Sequence, residues 1–567
     1  MKYYLPCHLP TSSRPAKIFN AEGAKVNAEE RGGFLCGLCE NLCALCGENR
    51  RSLVCDSAAL RLCGPLFVFI VSALNVFAEP ATTNKVPETF AEFHARLEKV
   101  VTHPRFSAAM LGVKIESLDT EKVVFEQNAE KLLKPASNGK MYTGALALDR
   151  LGPNYKIRTS FYASSKPDVA GKLMSDLIVY GRGDPSFSHR FNDGDYKKAI
   201  EQLADAVVKA GIKSVQGDLV GDESFFRGTR FGTGWSVDDL QYYYGAEVSA
   251  LTLQENTVDL VFKPGSAVGQ PVKIIMKPET SYLTFENRTR TVEKGGKRGI
   301  DVYRPVDGNV VYLHGTLPLG DAGAEDAVAV YNAPLWFIST LRDALTHRGV
   351  TISGKLKTVN GLDREVNPID FSKLTEVAAI ESRPMSEILK NMMKPSQNLY
   401  AHLLLLQVAE KVRTPETKKM NSDELGLVEL KKFCAEAGIE KGAVLMEEGS
   451  GLSRGCLVKP AASVQLLKYM RKHRYAETFY DSLPIAGVDG TLKSRFKGTA
   501  AEKNLRAKTG TIRYVNSISG FVTSKAGEHL VFSIMLNAYN GSDGRTQIDE
   551  IAAMLADLAA RTDAKAE

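Results

Sequence analysis

Residues 134–151 read KPASNGKMYTGALALDRL, and the tetrad within them, Ser137-Asn138-Gly139-Lys140, decides how the remainder of the chain is understood. Pro135 supplies a fixed φ suited to the start of a helix, and Met141, Ala145 and Leu148 follow at helical spacing. On a helix, Ser137 and Lys140 share a face with Cβ atoms about 5–6 Å apart, within reach for an amine to take the hydroxyl proton. Helix-terminal N–H groups place positive partial charge where an oxyanion would form. Taken alone, the tetrad equally describes a serine N-cap followed by a solvated lysine one turn later. The choice between the two rests on the rest of the sequence.

The chain has 567 residues, long enough for several domains, with 44% apolar and 24% charged residues as in ordinary globular proteins. A net charge of +6 and the lack of a basic block with interleaved aromatics speak against a nucleic-acid partner. Cys7, Cys36, Cys39, Cys43, Cys46, Cys55 and Cys63 crowd the N-terminus, leaving only Cys434 and Cys456 beyond it. The two CxxC pairs in 36–46 stand too close together for an ordinary zinc module. Arg61, the apolar run 66–76 (LFVFIVSALNV) and Val76-Phe77-Ala78 read as a secretory signal cleaved after Ala78, which places the mature protein in the periplasm or at the cell wall. The run is short for a transmembrane span. Residues 1–78 are expected to be a leader, with peripheral membrane or wall association of the exported chain.

Beyond it, residues 88–101 have the spacing of an amphipathic helix, and 108–117 and 123–127 that of a β-hairpin leading into the serine helix, which Gly152-Pro153 ends. From about 161 to 383 the texture turns to short β-rich runs broken by Gly, Pro and Asp, with one clear helix at 333–348. A hairpin and one helix cannot close a core, so this stretch is expected to be an insertion into a domain that resumes afterwards. The expected division is 79–162 with 384–562 as one domain and 163–383 as an inserted region of two parts.

Helical spacing returns at 384–393 and 397–412. Between them Ser396-Gln397-Asn398 stands at a helix start, where Ser396 reads locally as an N-cap; His402 reads as a packed histidine. Lys508-Thr509-Gly510 precedes two β runs, 517–523 and 529–537, and the helix 547–561 follows. On a strand, this triplet sets a cation beside a residue without a side chain, so that a substrate backbone could lie along the strand and the lysine hold a carboxylate.

S-x-x-K, S-x-N and K-T-G, in this order and at helix starts or on a strand, make a specific conjunction. The chain resembles the serine D,D-peptidases of the penicillin-binding class. The long separation of Ser137 from Ser396 makes it similar to the class C low-molecular-mass penicillin-binding proteins, the D-alanyl-D-alanine carboxypeptidase/endopeptidase family. Gly183-Asp184-Pro185, the run from Gly217-Asp218 to Phe226, Gly234-Trp235, Tyr244-Gly245 and 449–454 (GSGLSR) extend the likeness over about 90–560. The resemblance implies an α+β fold: a β-lactamase-like transpeptidase domain, an antiparallel sheet flanked by helices, carrying a large, mostly β, two-part insertion. It implies Ser137 as nucleophile, Lys140 as base, Ser396 and Lys508 as carriers of the proton to the leaving amine, and Asn398 as the positioning amide. The backbone N–H groups of Ser137 and Thr511 would form the oxyanion hole, and Thr509, Gly510 and Thr511 the carboxylate site. Asp239, with Asp238 competing for the role, Tyr244 and Arg454 would border the stem-peptide side chain. Substrates would be peptidoglycan peptides, β-lactams would be covalent inhibitors, and neither metal nor cofactor is needed.

Two other readings compete. A serine β-lactamase wants an E-x-x-L-N-like glutamate after S-x-N, and none stands between Asn398 and Lys508. A non-catalytic peptidoglycan-binding protein would have lost one of the catalytic side chains, and all are present.

Overall fold

A computed structural model describes residues 88–563. The cysteine cluster, the apolar run and the cleavage site after Ala78 lie outside the described residues. Helix α1 (Phe90–Val101) opens with a capping box between Thr89 and Glu92 and buries Phe93, Leu97 and Val101 at the expected spacing. Strands β1 (Met110–Ser117) and β2 (Val123–Gln127) form the hairpin, and α2 (Lys140–Leu151) follows, ended by Gly152 at φ 81°.

The middle of the chain builds its own sheets. One has the order Leu356–Val359, Leu219–Asp222, Leu177–Tyr180, Arg158–Ala163, Thr375–Glu381, with parallel and antiparallel neighbours. Helices α3 (Lys198–Lys209) and α4 (Ala333–His347) pack on each other and on this sheet. The β texture led to the expectation of a single helix here, so α3 is a difference. Ala199, Ile200, Leu203, Ala204 and Val207 do line one buried face of α3, but its several alanines give little apolar contrast in sequence. Strand Thr257–Lys263 pairs with Lys273–Lys277 and Ala324–Ala329. Val310–Pro318 pairs with three further short strands.

The chain then returns through α5 (Met385–Met393), α6 (Asn398–Val412), α7 (Ser422–Glu436) and α8 (Pro460–Arg471) to β3 (Arg506–Ile512), β4 (Val515–Thr523), β5 (His529–Asn537) and α9 (Gly544–Asp557). The sheet β2-β1-β5-β4-β3 joins the start of the chain to its end, with every neighbour antiparallel. One face packs on α1 and α9 through residues such as Ile115, Phe532, Ile551 and Leu555. Behind the other lie α2 and α5–α8; α6, apolar on all sides, is buried between α2 and α7. The middle segment has a separate core around Trp336, Phe337, Phe161 and Leu203. Its ends meet where Ser382 N donates to Ile157 O at 2.8 Å and Ile157 N to Ser382 Oγ at 2.8 Å. Phe161 belongs to the middle core, so the strand Arg158–Ala163 crosses the junction expected after residue 162.

Candidate active site

The serine sits on a 3₁₀ turn, Ala136–Gly139, that runs directly into α2. In such a turn residues i and i+3 eclipse, which brings Ser137 into line with Lys140. Ser137 caps neither the turn nor the helix, whose N-cap positions are Pro135 and Gly139. Instead its Oγ accepts from Lys140 Nζ at 2.8 Å. The turn is tied to the sheet by Ser517 Oγ donating to Pro135 O (2.6 Å), Asn138 Nδ2 to Ser519 Oγ (2.7 Å) and Lys134 N to Asn537 Oδ1 (2.7 Å).

Gly510 is needed for this approach. A Cβ on it would stand 2.8 Å from Ser137 N and 2.7 Å from Pro135 O. The expected reason for the glycine, room for a substrate backbone, is therefore corrected: the space at Gly510 is filled by the serine turn itself.

Lys140 has no exposed surface. Besides Ser137, its ammonium nitrogen donates to Asn398 Oδ1 (2.5 Å) and to Ser450 O (3.0 Å), all neutral acceptors. Burial without a carboxylate in contact brings its pKa down to about 7, with Glu448 pulling back upward. Lys508, also fully buried, donates to Ser396 Oγ at 2.8 Å and to Thr509 O at 2.8 Å. Burial holds it well below the ordinary lysine range, and repulsion from Lys140 and Arg495 adds to the effect.

Ser396 has φ 68° and stands just outside α6; the N-cap is Gln397, whose side chain accepts from Leu399 N at 3.0 Å. The positive φ turns Ser396 away from the helix start and leaves its hydroxyl to Lys508 rather than to a capping bond. Asn398 is the first helical residue, and its Nδ2 donates to Tyr244 O at 2.8 Å.

Two buried carboxylates that the sequence reading did not place at the site support it. Glu448 accepts from Ser450 N (2.7 Å) and Leu452 N (2.8 Å), shaping the 449–454 loop whose Ser450 carbonyl meets Lys140. His402, 2% exposed, accepts from Gly449 N at 3.2 Å, and burial lowers its pKa, with Glu448 acting in the opposite sense. Gly451, at φ 79°, lets this loop touch Ala136 O, where a Cβ would collide. The second carboxylate is Glu255. It takes Gln397 Nε2 (2.6 Å), Tyr400 Oη (2.9 Å), Ser188 Oγ (3.2 Å) and the Arg190 guanidinium. Gln254, Glu255 and Asn256 all have positive φ. The acid preceding G-S-G was a visible signal for Glu448; nothing local marks Glu255.

A cleft of about 800 Å³ opens on Ser137, Ser396, Asn398, Thr509 and Thr511 and runs past Asp239, Tyr244 and Arg454. Asp239 is buried, its Oδ2 3.8 Å from Arg454 Nη1, and Arg454 donates to Ser236 Oγ at 2.7 Å. Burial raises the Asp239 pKa, with Asp238 adding to the rise. Asp238 also lines the cleft. Tyr244 stacks on Tyr242 at 5.3 Å. Burial lifts its phenol to about 12. Thr509 Oγ1 donates to Thr491 Oγ1 at 2.7 Å, whereas Thr511 is exposed, with its Oγ1 donating to Asn516 Oδ1 at 3.3 Å. The structure thus gathers all eleven residues expected at the site, ten of them along the cleft wall or directly behind it and Gly510 against the serine turn. Cys434 and Cys456 are both buried and free.

Among known proteins, the chain is 31% identical over 493 residues to the D-alanyl-D-alanine carboxypeptidase of Actinomadura sp. (strain R39), covering 85% of this chain and 88% of that one. It superposes on the crystal structure of penicillin binding protein 4 (dacB) from Haemophilus influenzae with TM-score 0.68 and 26% identity, covering 81% and 97% of the two chains. The crystal structure of the same protein complexed with a β-lactam gives 0.63 at 24% identity, over 81% and 97%. Residues 93–558 match the D-Ala-D-Ala carboxypeptidase 3 (S13) family, and the chain belongs to that family.

Proposed function

We propose that this protein is a serine-type D-alanyl-D-alanine carboxypeptidase/endopeptidase that cuts peptidoglycan stem peptides through an acyl-enzyme on Ser137. The observation that carries the proposal is the 2.8 Å bond between the Ser137 hydroxyl and a fully buried Lys140 whose pKa lies at about 7. A neutral Lys140 amine takes the Ser137 proton as Oγ attacks the carbonyl carbon of the penultimate D-alanine. The C–O bond forms, and the carbonyl π electrons move to oxygen. Backbone N–H groups of Ser137 and Thr511 are assigned to this oxyanion, a contribution of several kcal/mol in acyl transfer. As the C–N bond breaks, its electron pair stays on the leaving amine, which receives a proton through Ser396 and Lys508. Water then adds to the ester with its proton passing to Lys140, and Ser137 is released.

Asn398 holds Lys140 from one side and, by our assignment, the substrate amide from the other. Lys508, Thr509 and Thr511 are assigned to the terminal carboxylate, and Asp239, Tyr244 and Arg454 to the stem-peptide side chain. The same chemistry makes a β-lactam an acylating inhibitor, in keeping with the Haemophilus protein complexed with one. We assign 79–162 with 384–562 to the catalytic domain and 163–383 to an insertion, a division supported by the separate core of the middle segment. Export after cleavage at Ala78 remains part of the proposal; no helix among the described residues is long and apolar enough to cross a membrane.

Labelled penicillin tests the mechanism. A stable adduct on the protein and none on Ser137→Ala is expected. A folded wild type without an adduct, or an adduct surviving in the alanine variant, would overturn it. Purified wall fragments then separate carboxypeptidase products from endopeptidase products.

A further inference from the structure

Charge is distributed unevenly along the cleft. Around Asp238 and Asp239 acids alternate with Arg454 and Arg513, whereas the wall beside the K-T-G strand carries Thr491, Arg495 and Arg545. Asp549 lies in the field of both arginines, and Arg495 binds both its oxygens, one at 2.9 Å. Arg545, the second residue of α9, is exposed and forms no ion pair among the described residues. The other acids of its helix end are engaged elsewhere: Asp543 by Tyr539 and Gln547, Glu550 by Arg105.

The position of Arg545 relative to the edge strand is fixed from both sides. Gly544 packs on the side chain of Asn516, which in turn accepts from Thr511. Thr509 donates to Thr491, which lies within the 3₁₀ turn Gly490–Leu492, four residues before Arg495. Both arginines line the same cleft as Thr509 and Thr511, the residues assigned to the substrate's terminal carboxylate. For one carboxylate, Lys508, Thr509 and Thr511 already suffice. Beyond that one carboxylate, a D-alanine leaving group offers only a methyl group, which gives a second guanidinium nothing to bind. An unneutralised arginine fork in a cleft of about 800 Å³ instead matches a second, planar anion.

We infer that Arg545, with Arg495 beside it, forms a leaving-group subsite for a second carboxylate, so that the favoured leaving amine belongs to a dicarboxylic amino acid or to a peptide carrying one. The inference rests on the proposed peptidase reading and deepens it, because it names what lies beyond the scissile bond. It favours the leaving half of a cross-link over a lone alanine.

The test compares acyl-D-alanyl-D-glutamate with acyl-D-alanyl-D-glutamine, which differ in one side-chain charge and share the terminal carboxylate. The expected result is a kcat/KM about fivefold higher for the acid, the upper range for a solvent-accessible ion pair. The ratio should fall to about one in Arg545→Gln, be partly kept in Arg545→Lys, and shrink between about 0.05 and about 0.5 M salt. Equal turnover of the two peptides by a wild type that forms the penicillin adduct would overturn the subsite and leave the peptidase reading standing. A preference unaltered in Arg545→Gln would overturn the assignment to Arg545. Turnover of neither peptide, with no penicillin adduct, would overturn both.

Discussion

Lys140 is a lysine surrounded by neutral acceptors, and on the proposed mechanism that environment sets the pH at which Ser137 becomes reactive. With a pKa of about 7, the amine is mostly protonated below this pH and unable to take the serine proton; above it, the neutral base dominates. The rate of acylation by labelled penicillin should therefore fall about tenfold per unit well below the inflection near pH 7 and level off above it. Glu448 acts on Lys140 through space and favours the charged amine, so Glu448→Gln should move the inflection to lower pH. A profile that stays in place would show that this carboxylate does not tune the base. Gly510→Ala tests the other side of the serine. The added methyl meets the backbone of Pro135 and Ser137, neither of which can swing away as a side chain could. Displacement of the turn by a fraction of an ångström should lower acylation about 100-fold. The cost in stability should be about 1–3 kcal/mol, read from urea unfolding.

At the scale of elements, the decisive contact is between the start of α6 and the left-handed bend at 254–256. Glu255 reaches from the middle segment to hold Gln397, the central residue of S-x-N, and Tyr400 one turn inside the helix. Removing that carboxylate strands three buried donors. Glu255→Ala should cost about 2–3 kcal/mol in urea unfolding and also slow penicillin acylation, because Gln397, the residue between Ser396 and Asn398, loses its anchor. A variant destabilised to that extent but acylated at the wild-type rate would confine Glu255 to stability. This contact also marks the limit of what the sequence revealed. The hairpin, the serine helix, S-x-N and K-T-G were legible because chemistry and period-2 or period-3.6 patterning fix residue types at short spacing. Glu255 was not, because its partners in α6 lie more than 140 residues away and no local pattern encodes that meeting. Ser396 illustrates the same limit: a residue read locally as a cap is rotated out by a positive φ to face Lys508. The glycine of K-T-G was read as making room for a substrate backbone, and its contact with the serine turn follows from the sheet topology, which no local pattern encodes.

For the whole molecule, the separate cores predict separate cooperative units. Amides of Leu177–Tyr180 in the middle segment and of β4 and β5 in the terminal sheet should open with different free energies in native-state hydrogen exchange under increasing denaturant. Penicillin acylation should raise protection mainly in the unit containing β3–β5. A single exchange isotherm for both regions would show instead that the contacts at Glu255 and Tyr244 fuse the halves into one folding unit.

The sheet that seats the nucleophile is finished by the last strands of the chain, with β5 inserted between β1 and β4. During synthesis Ser137 emerges hundreds of residues before Lys508 and before the strand that presses Gly510 against it. On the proposed mechanism, a growing or prematurely terminated polypeptide should therefore carry a Ser137 hydroxyl that labelled penicillin does not acylate. On that mechanism, the order of residues along the chain keeps the hydrolase silent until translation and folding are complete.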